Sequence, residues 1–329
     1  MVARRKLVIA LGAGVLVPFA SVAQQTGKVW RVAFFYFGSR KAALDTGRLE
    51  AFMQGMRTLG YVAGANLRVE EHYADSSAER ASALSAKIVI QNPDVIVATG
   101  SPAYRVLVNA TRQIPIVATV GVDPVGAGYA ITLARPGGNV TGLTDTAEFL
   151  GPKLLEFLLA VLPRLSRAAV LLNPNNAEHS MQFVRITSDA QKLGIHIVLI
   201  EAQAEKGLVA GFATMARENA NAVIVLADTF FTDQMRNIAD LAIKSGLPAV
   251  HANPGFALSG GLLSYGFDLT QNFRRAAAFV DRIFKGAKAG ELPFEQPTTY
   301  DLIINLKTAR TLGIKIPQTI LLQATRVIE

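Results

Sequence analysis

Four loops place a polar side chain at the mouth of an apolar run, and each offers a ligand something to hold. Gly100-Ser101-Pro102 follows the run that ends at Thr99. Ser101 is predicted to cap a helix with Pro102 in its first position, turning free backbone N–H groups and the positive helix end toward any carboxylate. The same residues also serve as an ordinary cap with no ligand. Asp123-Pro124, just beyond Val120, supplies either a carboxylate for a ligand ammonium or another helix cap. In the second half Asn173-Pro174 and Asp228 take the matching places, and Asp228 ends a run too apolar to leave a charge without partners. Tyr36, Phe37, Tyr104, Phe230, Phe231 and Tyr265 lie at the same level, with Ser39 close by, as walls for a flat ligand or as core.

Catalytic and metal-binding constellations are not expected. His72, His179, His196 and His251 lie far apart and show no zinc-type spacing. A nucleophile elbow is missing, and Gly126-Ala127-Gly128 lacks the third glycine of a dinucleotide fingerprint. The chain has no cysteine, which removes disulfides, thiolate metal sites and a cysteine nucleophile. No cofactor is expected.

The elements that must position these loops alternate strand with helix, the pattern of a parallel sheet covered on both faces. Strands are predicted at 31–37, 67–73, 95–99, 116–120, 168–172, 196–200, 222–226, 249–251 and 262–265. Helices are predicted at 45–59, 78–91, 102–112, 152–161, 177–193, 205–217, 233–245 and 270–284. The pattern runs twice. Leu59-Gly60-Tyr61 is echoed by Leu193-Gly194-Ile195, and Ile114-Pro115-Ile116 by Leu247-Pro248-Ala249, each about 130 residues later. Two lobes of one topology follow. Ligands of open parallel sheets sit beyond the carboxyl ends of the strands, which is where the four loops fall.

The N-terminus predicts export. Arg4, Arg5 and Lys6 precede a thirteen-residue apolar stretch from Leu7 to Phe19, and Ser21-Val22-Ala23 reads as a cleavage site, making 1–23 a signal peptide. Gln24 stands where a lipid-anchored product would carry cysteine, so a periplasmic protein rather than a lipoprotein is expected, with no stable membrane insertion. The net charge of +8 includes those three leader residues, and the remaining Lys and Arg form no block interleaved with aromatics. Nucleic acid is not an expected partner.

Several stretches resemble one family: Phe52, Gly55 and Leu59-Gly60-Tyr61; Ile114-Pro115-Ile116-Val117; Asp123-Pro124-Val125-Gly126; Leu133 to Gly142; Gly261 with Ser264-Tyr265-Gly266; and Ile304 to Ala309. The chain is similar there to ABC-transporter substrate-binding proteins of the family that includes tryptophan- and tyrosine-binding members. The resemblance implies an α/β fold of the type I periplasmic-binding-protein kind, two Rossmann-like lobes joined by three crossovers near Thr144, Gly266 and Pro297. Lobe one would comprise 28–144 plus 267–296, and lobe two 145–266 plus 297–329. It also implies a small ligand, an amino acid or aromatic carboxylate, passed to an inner-membrane ABC permease by a monomeric receptor that breaks no bond. Ser101 and nearby backbone would hold the carboxylate, and Asp123 or Asp228 the ammonium. The residues expected to meet the ligand are Tyr36, Phe37, Ser39, Thr99, Ser101, Val120, Asp123, Thr144, Asn173, Asp228, Phe230 and Tyr265. An exported hydrolase-like enzyme and a sensor subunit feeding a receptor kinase remain alternative readings.

Overall fold

The computed structural model describes residues 28–120, 123–144 and 147–329, so the predicted signal peptide lies outside the described residues. The first run of elements is β1 (Trp30–Tyr36), α1 (Arg40–Asp45), α2 (Arg48–Thr58), β2 (Leu67–Tyr73), α3 (Ala78–Gln91), β3 (Val95–Thr99), α4 (Ser101–Ala110), β4 (Ile116–Ala118) and β5 (Val140–Gly142). Its five strands form one parallel sheet in the order β2-β1-β3-β4-β5. The inner strands β1, β3 and β4 read as near-continuous apolar runs because helices cover both faces.

The second run is α5 (Ala147–Val161), β6 (Arg167–Leu172), α6 (Ala177–Lys192), β7 (His196–Glu201), α7 (Glu205–Arg217), β8 (Ala222–Val225), α8 (Thr229–Asp233), α9 (Met235–Lys244), β9 (Ala249–His251), α10 (Gly255–Leu258) and β10 (Leu263–Gly266). There follow α11 (Leu269–Phe284), β11 (Asp301–Asn305), α12 (Leu306–Thr311), α13 (Gln318–Leu321) and β12 (Arg326–Ile328). Strands β6 to β12 make a seven-stranded sheet in the order β12-β11-β10-β9-β8-β6-β7, parallel except where β11 runs against β10. This is the expected α/β architecture of two sheets flanked by helices.

The chain passes between the sheets three times: between Thr144 and Ala147, at Phe267 after β10, and over 295–300 before β11. Helix α11 therefore packs on the first sheet although the strands on either side of it belong to the second. Its seat is close, since a Cβ on Gly55 of α2 would lie 2.7 Å from the Arg274 carbonyl. Phe34 of β1 meets Phe52 of α2 and Phe273 of α11 at 6.0 Å each. The outer crossings run side by side: the Thr144 amide donates to the Glu295 carbonyl at 3.0 Å, and the Glu295 amide to that of Gly142 at 2.9 Å. The Glu295 carboxylate is bonded by Arg275 at 2.6 Å and Arg282 at 3.4 Å, and the Arg275 bond leads in holding it below the usual carboxylate range.

Three departures from the sequence reading have local causes. The helix predicted over 45–59 is α2, which starts only at Arg48 because Gly47, at φ +66, parts it from α1. That predicted over 233–245 is α9, parted at Gln234 from α8, which ends at Asp233. Strands β5 and β12, three residues each, are too short to show a period, and β11 follows directly on the irregular crossing segment.

Candidate functional site

The carboxyl ends of both sheets face one another across a cavity of about 50 Å³. The first lobe contributes Arg48, Gly100, Ser101, Pro102 and Val120. The second contributes residues after three strand ends, among them Asn176, Glu178, Asp228, Thr229, His251 and Asn253, while Phe267 and Leu269 come from the middle crossing.

Helix α4 brings its N-terminus here through Gly100 rather than Ser101. Gly100 is the N-cap at φ +95, a left-handed conformation that favours glycine, and Ser101 and Pro102 fill the first helical turn, which corrects the predicted cap. A Cβ at Gly100 would also lie 2.9 Å from the Thr229 hydroxyl of the facing lobe. Ser101 Oγ donates to Glu178 Oε1 across the cleft at 2.8 Å. The half-buried Val120 is fixed by Tyr104, whose hydroxyl donates to its carbonyl at 2.6 Å.

From the second lobe, Asp228 caps α8 and is held in place by amides. Its Oδ1 accepts from the Phe230 amide at 2.9 Å and from Asn173 Nδ2 at 3.0 Å, and its Oδ2 from Asn176 Nδ2 at 3.0 Å. These are the partners that the apolar run before Asp228 demanded. His179 completes the cluster: its Nδ1 accepts from the Asn173 amide at 2.9 Å, and its Nε2 lies 3.0 Å from the Ala227 carbonyl, which assigns the Nε2–H tautomer. Burial holds its pKa below the ordinary value, against the pull of Asp228.

A second seam lies beside the cavity. Tyr36, ending β1, donates to Asp233 Oδ1 at 3.0 Å, and the Ser39 amide donates to Asp233 Oδ2 at 3.3 Å. Arg48 Nη1 donates to the Tyr36 hydroxyl, so Arg48, Tyr36 and Asp233 form a chain from α2 to α8. Burial, the largest cause, pushes the Asp233 carboxyl up to about 6 against the lowering effect of Arg48. The Tyr36 hydroxyl is raised by burial and stays protonated.

The other expected site residues fall elsewhere. Phe37 and Phe230 pack in the cores of their lobes, as do Tyr104 and Phe231. Tyr265 stacks on Tyr300 at 5.7 Å and meets Phe157 at 5.1 Å, bracing the crossings rather than lining the cavity. Thr99 bonds Thr119 side chain to side chain at 2.7 Å within the sheet. Thr144 is buried at the first crossing, and Asn173 is buried behind Asp228. Asp123 is exposed and closes its own turn by accepting from the Gly126 amide at 3.0 Å. Of the twelve, Ser101, Val120 and Asp228 line the cavity, and Tyr36 and Ser39 form the adjoining seam.

Arg48, Glu178, Asp233 and His251 also belong to the cavity and its seam, and no local pattern in the sequence marks them. Arg48 and Asp233 sit inside or at the edge of predicted helices, where charge reads as solvent-facing. His251 ends the short strand β9 and had the position, though not the spacing, to draw notice.

Ser101 meets Glu178, and both cleft histidines use Nδ1 to accept a backbone amide. Among the described residues no group of three or more His, Cys, Asp or Glu is placed to hold a metal ion, and no helix is long and apolar enough to cross a membrane.

Two lobes, three crossings and a cleft between opposed strand ends define a ligand-binding protein of the type I periplasmic fold. The chain belongs to the ABC transporter substrate binding protein family, which it matches over residues 41–328. It is 24% identical over 282 residues to the tyrosine-binding protein of Clostridioides difficile strain R20291, covering 83% of this chain and 78% of that protein. A conserved domain protein from Vibrio cholerae O1 biovar eltor is 30% identical, with a TM-score of 0.83 over 91% of this chain and all of the other. The fold is also that of an ABC domain from Streptococcus pneumonia solved in complex with L-Trp, at 23% identity and a TM-score of 0.81 over 91% of this chain and 99% of that one.

Proposed function

We propose that the chain is the periplasmic solute-binding component of an ABC importer, a monomer that closes its lobes around a small ligand, an amino acid or an aromatic or carboxylate compound, and presents it to an inner-membrane permease. The observation that carries this reading is the cavity itself. Backbone at the N-terminus of α4 lies opposite the amide-held carboxylate of Asp228, and the two come from different lobes. Such an arrangement is completed only when the lobes meet, so closing and ligand capture stabilise each other, with no bond broken. The relatives that bind tyrosine and tryptophan support a ligand of that size. In this reading, residues 28–144 with 267–296 move as one body against 145–266 with 297–329.

Delivery requires release, which sets an affinity near micromolar, about −8 kcal/mol. Isothermal titration against the L-amino acids and small aromatic carboxylates is expected to find such a ligand. A cooperatively folded chain that binds no member of the panel overturns the proposal.

The Asp233 seam makes closure depend on pH. Its carboxyl stands at about 6 in the closed arrangement against an ordinary value of 3.8. A raised carboxyl favours its protonated form, so closing takes up a proton between about pH 4 and 6 and is aided as pH falls through 6. The closed-to-open ratio is expected to be about tenfold higher at pH 5 than at pH 7. Because the chain has no cysteine, spin labels on cysteines introduced at the exposed Ile90 and Val209 report the lobe separation directly. Asp233→Asn is expected to flatten the pH response; a response that survives this change assigns it to another group.

A further inference from the structure

Two buried nitrogen atoms on the cavity wall, Arg48 Nε and His251 Nε2, lack hydrogen-bond partners. Arg48 is 2% exposed, and its Nε has none. Its guanidinium donates to the Tyr36 hydroxyl, through which it faces Asp233, and makes no direct ion pair with a described carboxylate. Arg48 is also the first residue of α2, where the helix dipole disfavours a cation, so helix stability does not explain its place. His251 is fully buried, and its Nδ1 accepts from the Asn253 amide at 2.9 Å. That bond puts the proton on Nε2, which has no acceptor. Burial drives its pKa down to about 3, so the ring is a neutral donor. Buried donors without acceptors are costly and mark where a ligand is to supply them.

Several acceptors around the cavity already serve protein donors. Asp228 accepts three N–H groups, Asn176 Oδ1 accepts from the Glu178 amide, Asn253 Oδ1 from the Gly255 amide, and Glu178 Oε1 from Ser101. The wall adds to these two donors that no protein acceptor meets, Arg48 Nε and the His251 Nε2–H.

Building on the solute-binding reading above, we infer that the ligand is a small organic acid carrying a second oxygen acceptor, such as an α-keto acid, its carboxylate seated on Arg48 and its second oxygen on the His251 Nε2–H. Arginine presents a planar fork to a carboxylate, and each bond is charge-assisted. The histidine proton selects a carbonyl oxygen over an ammonium, which is itself a donor.

Matched pairs separate the two classes: L-tyrosine with 4-hydroxyphenylpyruvate, L-tryptophan with indole-3-pyruvate, and L-leucine with its α-keto acid, titrated calorimetrically into the mature chain. The keto acid of at least one pair is expected to bind at least tenfold tighter than its amino acid. Arg48→Met is expected to weaken that binding about thirtyfold or more, and His251→Phe about tenfold. Each variant's thermal melt checks that it folds. In the unsubstituted protein, 15N-labelled histidine gives a second readout, with the His251 Nε2–H resonance expected to move when the keto acid binds. Amino acids that bind tighter than their keto acids, or a keto acid that leaves that resonance in place, overturn this inference while the solute-binding reading stands. Failure of every probe to bind the folded wild type overturns both.

Discussion

Gly142→Ala is expected to be among the most destabilising single substitutions in this protein, lowering its melting temperature by roughly ten degrees. Gly142 ends β5 at φ +127, a backbone conformation that L side chains rarely adopt. An added Cβ would stand 2.2 Å from the Ala118 carbonyl oxygen and 2.7 Å from its nitrogen, both backbone atoms of β4. Neither atom can swing aside as a flexible side chain would. The same residue accepts from the Glu295 amide, and its successor Leu143 donates to Ala118, so a displaced β5 loosens the sheet edge and the paired outer crossings together. Left-handed strain costs about 1–2 kcal/mol, and prying the strands apart adds to it, for a total of about 3 kcal/mol or more. Gly64→Ala is the control: its φ is +83, but nothing lies within 4 Å of the added methyl. That change is expected to cost only about 1 kcal/mol. Differential scanning calorimetry on both variants checks the contrast, and equal losses would assign the effect to backbone strain alone.

The residues that announced themselves in the sequence are those whose role is local. Ala78–Gln91 and Glu205–Arg217 carry their periodicity and flanking residues within one stretch, and their bounds are those predicted. Strands β2, β3 and β9 likewise match, since Asn66, Gly100 and Pro248 each mark one end of their runs. Asp228 was singled out because an apolar run cannot end on a bare charge, and its three amide partners supply the reason. What was not legible depends on contacts between distant segments. Phe37 and Phe230 looked like cleft walls by their distance from strand ends, yet each turns inward to its lobe's core, a choice that sequence position does not encode. Arg48 lies on a helix whose start was misplaced because Gly47 breaks it. Its burial follows from the opposed lobe, beyond the reach of any local pattern.

Gly38 tests the closing seam most directly. It lies between Tyr36 and Ser39, the two first-lobe residues that bond to Asp233 of the second lobe. A Cβ there would stand 2.2 Å from Asp233 Oδ2, 3.1 Å from Thr229 Cγ2 and 2.6 Å from the ring of its own neighbour Tyr36. Its backbone is not left-handed, so alanine adds no conformational strain, and in an opened cleft the contacts with Asp233 and Thr229 disappear. Gly38→Ala is therefore expected to penalise the closed form while the Tyr36 ring shifts to accommodate the methyl group in the open one. A penalty of about 3 kcal/mol lowers affinity roughly a hundredfold, because a ligand that needs the closed state binds in proportion to its population. The melt of the ligand-free variant separates this closing penalty from the cost of shifting the Tyr36 ring, which is paid in both forms. Labels at positions 90 and 209 are expected to remain far apart until ligand is raised to about a hundred times the wild-type requirement. Wild-type affinity in Gly38→Ala would show that the Asp233 seam is not part of the bound state, and the search for the closing contacts would turn to Ser101 and Glu178.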